Sequence, residues 1–432
     1  MTTPLHFGFF SSFMPPAWHA ADDRRHGADW ISGRFHRDLA RRAEDAAFDF
    51  LFFEDTSSVW RRGDGSTDVD LRYALSAPKN DPVALITYLA GQTERLGLIA
   101  TASTSLYPPY LLARLYGTID GLSGGRVGWN IVTSSEDESA QNYGMPRLLP
   151  PSERYDRADE FVSVVSQLWD SWDADAIVAD EQANVYTDPA KVRSVDHVGE
   201  HFSVRGPLNS APSPQGRPVF AQAGGSGRGR DFAAQHAELV MSVTFGGVHA
   251  MKSFREDVHA RMRALGRDPR SVRILYALHP YIAESRDQFR RSITDAQLVP
   301  VLGKHSAHIG TDLFALDLDQ PVPADLEAQG TTSILTALKE KGRRGQSLRE
   351  AIIDLNWPDE IGAVGPAAEV AENLIETMAE VGGDGYIFMA TQDANAAHFD
   401  AIFDELVPEL QRRGAMRTTY SGATLRENLF AF

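Results

Sequence analysis

Short apolar runs alternate with amphipathic stretches along most of the chain. LHFGFF (5–10) is followed by FHRDLARRAEDAAF (35–48), whose apolar residues recur at helical spacing, and then by the run DFLFFED (49–55). DPVALITYLAGQTERL (81–96), GLIATAST (97–104), YLLARLYGTIDGLS (110–123) and RVGWNIVTS (126–134) keep the alternation. Runs apolar on both faces are what strands need when helices cover both sides of a parallel sheet. A long helix follows residue 150, with Tyr155, Ala158, Val162, Val165, Trp169 and Trp172 three or four residues apart and Ser152 as its predicted N-cap. The rhythm breaks over 173–216, rich in Asp, Pro and Gly with a strand-like HFSVRGPL, and resumes at 218–245 as strand, helix and strand. SVRILYALHPYIA (271–283) predicts another strand, 284–360 a large, partly helical insertion, 369–391 a helix and strand, and 398–414 a final helix.

Strands near residues 5, 49, 97, 127, 218, 238, 272 and 385 make eight. That number favours a (β/α)8 TIM barrel, of the α/β class, over an open doubly wound sheet. The expected organisation is one domain over 1–432, with insertions at about 173–216 and 284–360.

Composition narrows the functional classes. The chain has 432 residues, 43% hydrophobic and 23% charged, which suits a globular protein with a large core. With no cysteine, disulfides, thiolate metal sites and a cysteine nucleophile are excluded. The N-terminal MTTPLHFGFFSSF has neither a basic n-region nor a long apolar run, so a cytoplasmic location is expected. A formal charge of −17 argues against a nucleic-acid partner, which would call for a basic face.

In a barrel, chemistry gathers where strands end at their C-terminal side. The strand 126–134 carries Asn130 on the face of Gly128 and Val132 and ends in Thr133 and Ser134. A buried amide without a partner costs roughly 1–3 kcal/mol, so Asn130 is a candidate to meet a ligand. Strand 49–55 ends in Glu54 and Asp55, and strand 97–104 carries Thr101, Ser103 and Thr104. Three polar endings on successive strands predict a polar ring at one mouth. AGGSGRGR (223–230), between an apolar strand and a helix, combines glycines, the Ser226 hydroxyl and a helix N-terminus, a combination suited to a phosphate. It matches neither the dinucleotide fingerprint nor the Walker loop, and a single phosphate late in a barrel fits a mononucleotide such as FMN. LSGGRV (122–127) enters a strand and reads as a turn.

HVGEH (197–201) matches an inverted zincin motif, but Gly199 and the β-branched Val198 argue against the helix that motif needs, and no metal site is expected. His19 and His26 in the first loop, and His305 and His308 in the late insertion, are lone histidines. Of these, His19 and His308 are candidates to orient substrate or move protons. Phe9, Phe10, Phe13, Trp18, Tyr107 and Tyr110 form either an apolar wall or core.

FFEDTSSV (52–59), TERLGLIATASTSLYPPYLLAR (93–114), DGLSGGRVGWNIVTS (120–134), ERYDRADEFV (153–162), DHVGEHFSVRGPLNSAPSPQGRPVFAQAG (196–224) and YSGATLRENL (420–429) together resemble the bacterial luciferase-like flavin-dependent monooxygenases, in the branch of nitrilotriacetate and dibenzothiophene-sulfone monooxygenases. The resemblance implies a TIM barrel that receives FMN already reduced by a separate NAD(P)H:flavin reductase. With dioxygen it would oxygenate a small sulfone, sulfide, amine or aromatic compound, with C–S, C–N or C–halogen cleavage among the outcomes. It places flavin contacts at Asp55, Thr101, Tyr155 and Ser226, to which the residue pattern adds Asn130 and Gly227. Asn130, His19 and His308 are the candidate catalytic residues. Relatives often carry histidine where this chain has Pro151, so a contact from that imidazole is lost. Homodimers or homotetramers are usual for such proteins. The alternatives are a non-catalytic flavin-binding protein and a deazaflavin-dependent oxidoreductase of the same superfamily.

Overall fold

A computed structural model describes residues 4–16, 30–61, 65–243, 246–309, 311–327, 332–357, 359–389 and 396–432. Eight parallel strands close a barrel: β1 (His6–Ser12), β2 (Phe50–Glu54), β3 (Gly97–Ser103), β4 (Val127–Val132), β5 (Val219–Gln222), β6 (Leu239–Ser242), β7 (Arg273–Leu278) and β8 (Gly385–Met389). They follow one another around the barrel in chain order, and β8 pairs with β1. All eight lie where the apolar runs predict them.

Register explains the interior. Gly8 pairs with Phe50 and Gly128 with Ile99 on adjacent strands, so each glycine makes room for the large residue beside it, while Phe10, Phe52 and Ile99 follow one another around the wall. A Cβ on Gly8 would lie 2.2 Å from the Phe50 ring, so glycine is required there by packing. The lumen is filled by Phe50, Phe52, Ile99, Leu239, Leu275 and Ile387. Leu425 and Leu429 of the C-terminal segment join them, and the amide of Leu425 bonds to the carbonyl of Gly125, just before β4 begins. One end of the barrel is thereby plugged, and polar residues collect at the other.

A larger core lies between the strands and the helices α1 (Arg34–Asp45), α2 (Pro82–Ala90), α3 (Pro109–Ser123), α4 (Pro151–Trp169), α5 (Gly227–His236) and α6 (Gly247–Ala264). Asp81 caps α2, accepting from the amide of Val83 at 2.7 Å. This helix stops at Ala90 before Gly91, short of the predicted residue 96. Helix α4 starts earlier than expected: its N-cap is Pro150, and Ser152 sits in its first turn. The ring of Pro151 supplies the helical φ and removes an amide that would have had no partner.

Two antiparallel hairpins occupy the first interruption, Ile177–Asp180 with Val185–Thr187 and His197–Val198 with Ser203–Val204. Of the strand-like HFSVRGPL, only Ser203–Val204 pairs. In the late insertion, α7 (Asp295–Ile309), α8 (Thr332–Arg343) and α9 (Leu348–Asn356) share an apolar cluster that includes Leu298, Leu338 and Ile352. Helix α10 (Ala367–Val381) returns the chain to β8. Among the described residues, no helix is long and apolar enough to cross a membrane.

Candidate active site

Over the C-terminal ends of β2 to β5 lies a polar cavity of about 250 Å³, lined among others by Asp55, Thr101, Ser103, Tyr107, Tyr155 and Gln222. The β3–β4 register sets Thr101 beside Asn130. The Thr101 hydroxyl donates to the carbonyl of Phe53 at 2.8 Å and accepts from Asn130 Nδ2 at 2.7 Å. Asn130 is therefore not on the cavity surface. It lies one layer down, fixes the Thr101 hydroxyl, and keeps a buried Oδ1 with no partner among the described residues. At the rim Ser134 adopts the left-handed conformation at φ 60° and its hydroxyl donates to Ser103 Oγ at 2.7 Å. Backbone strain of this kind gathers at ligand sites and switches.

Asp55 is half-buried at the end of β2. Burial pushes its carboxyl up to about 7; Lys79 opposes the shift, while Asp81 and Glu54 add to it. It can therefore hold or release a proton near neutrality. The Lys79 ammonium is engaged by Glu54, at 2.7 and 2.9 Å from its two oxygens. Burial raises the pKa of Tyr107, which stays protonated as a donor.

The glycine-rich loop starts at the edge of this cavity, where Ala223 lines it. Ser226 caps α5, its Oγ accepting from the amide of Gly229 at 3.0 Å. The amides of Gly227 and Arg228 belong to the first turn, where no carbonyl four residues back can reach them. A Cβ on Gly225 or Gly227 would meet nothing within 4 Å, so a ligand can approach the backbone there. Tyr155 packs its ring on Phe232, with centroids 5.6 Å apart, and its hydroxyl lies 3.0 Å from where a Cβ on Gly229 would sit. The loop arginines are engaged elsewhere: Arg228 pairs with Asp156 and Asp159, and Arg230 with Asp257. What the loop presents is a set of neutral donors and the positive end of a helix, and both fit a phosphomonoester.

The fold thus gathers Asp55, Thr101, Tyr155, Ser226 and Gly227 around one mouth, with Asn130 beneath. For Tyr155, the position is cavity-lining as well as packed. His19 and His26 lie outside the described residues, as does the side chain of His308, whose backbone belongs to α7. HVGEH is a hairpin: His197 Nε2 lies 3.0 Å from Glu160 Oε1, which also accepts from the amide of Phe202, while the amide of His201 donates to Glu160 Oε2. Among the described residues, no cluster of histidines and carboxylates could hold a metal. Gly124 of LSGGRV is the C-cap of α3 at φ 70°, a turn as expected.

Sequence reasoning missed Gln222 and the Glu54–Lys79 pair; of the aromatics read as wall or core, Tyr107 lines the cavity and Phe9 belongs to the core. Gln222 is 4% exposed, and its Oε1 has no partner among the described residues. A polar residue ending the apolar run PVFAQ, directly before the glycines, was the available signal.

A family model described as luciferase-like monooxygenase matches residues 5–385. The chain is 38% identical to dibenzothiophene-sulfone monooxygenase of Rhodococcus erythropolis, covering 98% of this chain and 95% of that one. It is 34% identical to nitrilotriacetate monooxygenase component A of Aminobacter aminovorans, over 95% and 92%. A crystal structure of riboflavin lyase with modified FMN and riboflavin superposes with a TM-score of 0.82 at 29% identity, covering 100% of this chain and 96% of that one.

Proposed function

The chain belongs to the luciferase-like monooxygenase family, and from that premise we propose that it is the oxygenating component of a two-component system that takes up FMN already reduced. Its substrate is a small organic molecule such as a sulfone, sulfide, amine or aromatic compound. The observation that carries this reading is the Ser226-capped loop that starts at Ala223, on the edge of a polar cavity ringed by Asp55, Thr101, Tyr155 and Gln222. Reduced FMN, when bound, supplies the two electrons that turn one atom of dioxygen into water while the other enters the substrate.

The chain's own residues bind, orient and shield. Ser226 and the amides of Gly227 and Arg228 hold the phosphate with neutral donors, and Tyr155 adds its hydroxyl. Thr101 is held in one orientation by Asn130 and offers the ring of the cofactor a fixed edge. Gln222 Oε1 accepts from an N–H or O–H of the ligand, which removes the cost of leaving it buried and unpaired. Asp55 holds a proton at its carboxyl below about pH 7 and releases it above. The plug of Leu425 and Leu429 closes the far end of the barrel to water. His19 and His308 are retained as groups that orient substrate or move protons.

A separate NAD(P)H:flavin reductase is the proposed partner, supported by a relative named as a component A. A cytoplasmic homodimer or homotetramer is proposed as well; exposed Val178, Tyr186 and Val198 on the two hairpins give copies an apolar surface to share.

The test is anaerobic titration with oxidised and then reduced FMN, followed by air in the presence of sulfones, sulfides and haloaromatics, with isotopically labelled dioxygen traced into product. Ser226→Asp is expected to weaken FMN binding at least 100-fold through charge repulsion. Absence of FMN binding in both redox states would overturn the assignment.

A further inference from the structure

Across the mouth from the phosphate loop, a second cavity of about 340 Å³ lies over the ends of β1, β2 and β8 and just beyond β7, under α7 and the end of α9. Phe10, Met14, Trp60, Leu75, Val301 and Met389 give it a mainly apolar wall. Its charged residues are Glu54, Lys79 and Lys304. Glu54 and Lys79 neutralise one another, and the Lys79 side chain is only 7% exposed. Lys304 differs: it is exposed at the cavity and makes no ion pair or hydrogen bond among the described residues.

The position of Lys304 is set by its neighbour. A Cβ on Gly303 would lie 2.2 Å from Leu75 Cδ1, so α7 approaches the segment after β2 more closely than any side chain at 303 would allow. This contact fixes the first lysine beyond it at the edge of the apolar wall.

Building on the monooxygenase reading, we propose that the substrate is an apolar organic acid: a ring-bearing or branched body seated against Phe10, Trp60, Leu75 and Met389, with one carboxylate or sulfonate at Lys304. A neutral molecule filling the cavity would cover an ammonium without pairing it, and an amine would meet Lys304 with like charge while Glu54 is already taken by Lys79. The overall charge of −17 does not reverse this. Charges more than about 8 Å away are largely screened at physiological salt, whereas Lys304 acts at contact. Lys304 is therefore a specificity-determining residue. At 340 Å³ the cavity is at the small end of ligand pockets, which run from about 300 to 1,000 Å³, and suits a body of one or two rings.

The experiment is calorimetric titration of FMN-loaded protein, without oxygen, with 2-naphthoate, 2-naphthamide and 2-naphthylmethylamine, for wild type and Lys304→Ala. FMN affinity is measured separately for both, so that failure of the cofactor reading is seen as loss of FMN binding and failure of this proposal is seen with FMN bound. The expected result is naphthoate binding at least 10-fold tighter than the amide or amine in wild type, the preference collapsing to within about 2-fold in Lys304→Ala with FMN affinity unchanged. Equal binding of acid and amide by wild type, a preference that survives Lys304→Ala, or no binding of any of the three by FMN-loaded protein would each overturn it.

Discussion

Replacing Asp55 with asparagine removes a carboxyl whose charge changes near neutral pH. Burial raises it from 3.8 to about 7, so between those values the folded protein keeps a proton that the unfolded chain has released. Folding stability linked to Asp55 is therefore fully present below about pH 4 and is lost as pH rises through about 7. A change of that size corresponds to about 4 kcal/mol at most. Asp55 is partly exposed and faces Lys79, so about 2 kcal/mol is the expected loss. The assay is urea unfolding of the cofactor-free protein at about pH 5, 6 and 8, comparing wild type with Asp55→Asn. About a third of that loss has already occurred at pH 5, so relative to wild type the variant should gain about 1 kcal/mol between the lowest and the highest pH. Parallel pH dependence in the two proteins would refute the reasoning, because it would mean that the Asp55 carboxyl titrates alike folded and unfolded.

Asn130→Ala removes one hydrogen bond but also an unpaired buried carbonyl, so a stability loss below about 2 kcal/mol is expected, while FMN affinity and turnover fall at least 10-fold; urea midpoints and FMN titration separate the two. Gly8→Ala drives a methyl into the Phe50 ring on the neighbouring strand, and a loss of about 3 kcal/mol is expected from overpacking, read as a lowered unfolding midpoint or loss of soluble protein. Glu160→Gln weakens the acceptor for His197 and for the amides of His201 and Phe202; faster hydrogen exchange in the 197–204 hairpin, with FMN affinity unchanged, is the expected result.

The strand positions, and hence the barrel, follow from the pattern of apolar runs. A strand covered on both faces must be a nearly continuous apolar run, and eight such runs separated by helical patterns leave few other arrangements. Local chemistry was legible for the same kind of reason: Ser226 ahead of glycines at the start of a helix is a cap whose requirements are met within four residues. Helix boundaries were less legible. Ser152 has the right side chain for a cap, but Pro150 and Pro151 start the helix two residues earlier.

Which polar residues face a ligand depends on contacts between distant segments. Alternation along β4 turns Asn130 inward, but only the register with β3 shows that its amide is spent on Thr101 and that it lies beneath the cavity floor. Lys79 and Lys304 carry no local signature, because their environment is assembled from segments distant in the chain. The Glu54–Lys79 pair and the approach of Gly303 to Leu75 are contacts between such segments, and no periodicity records them. Periodicity reports which face of an element is buried. What that face is buried against is set by neighbours that the fold brings together.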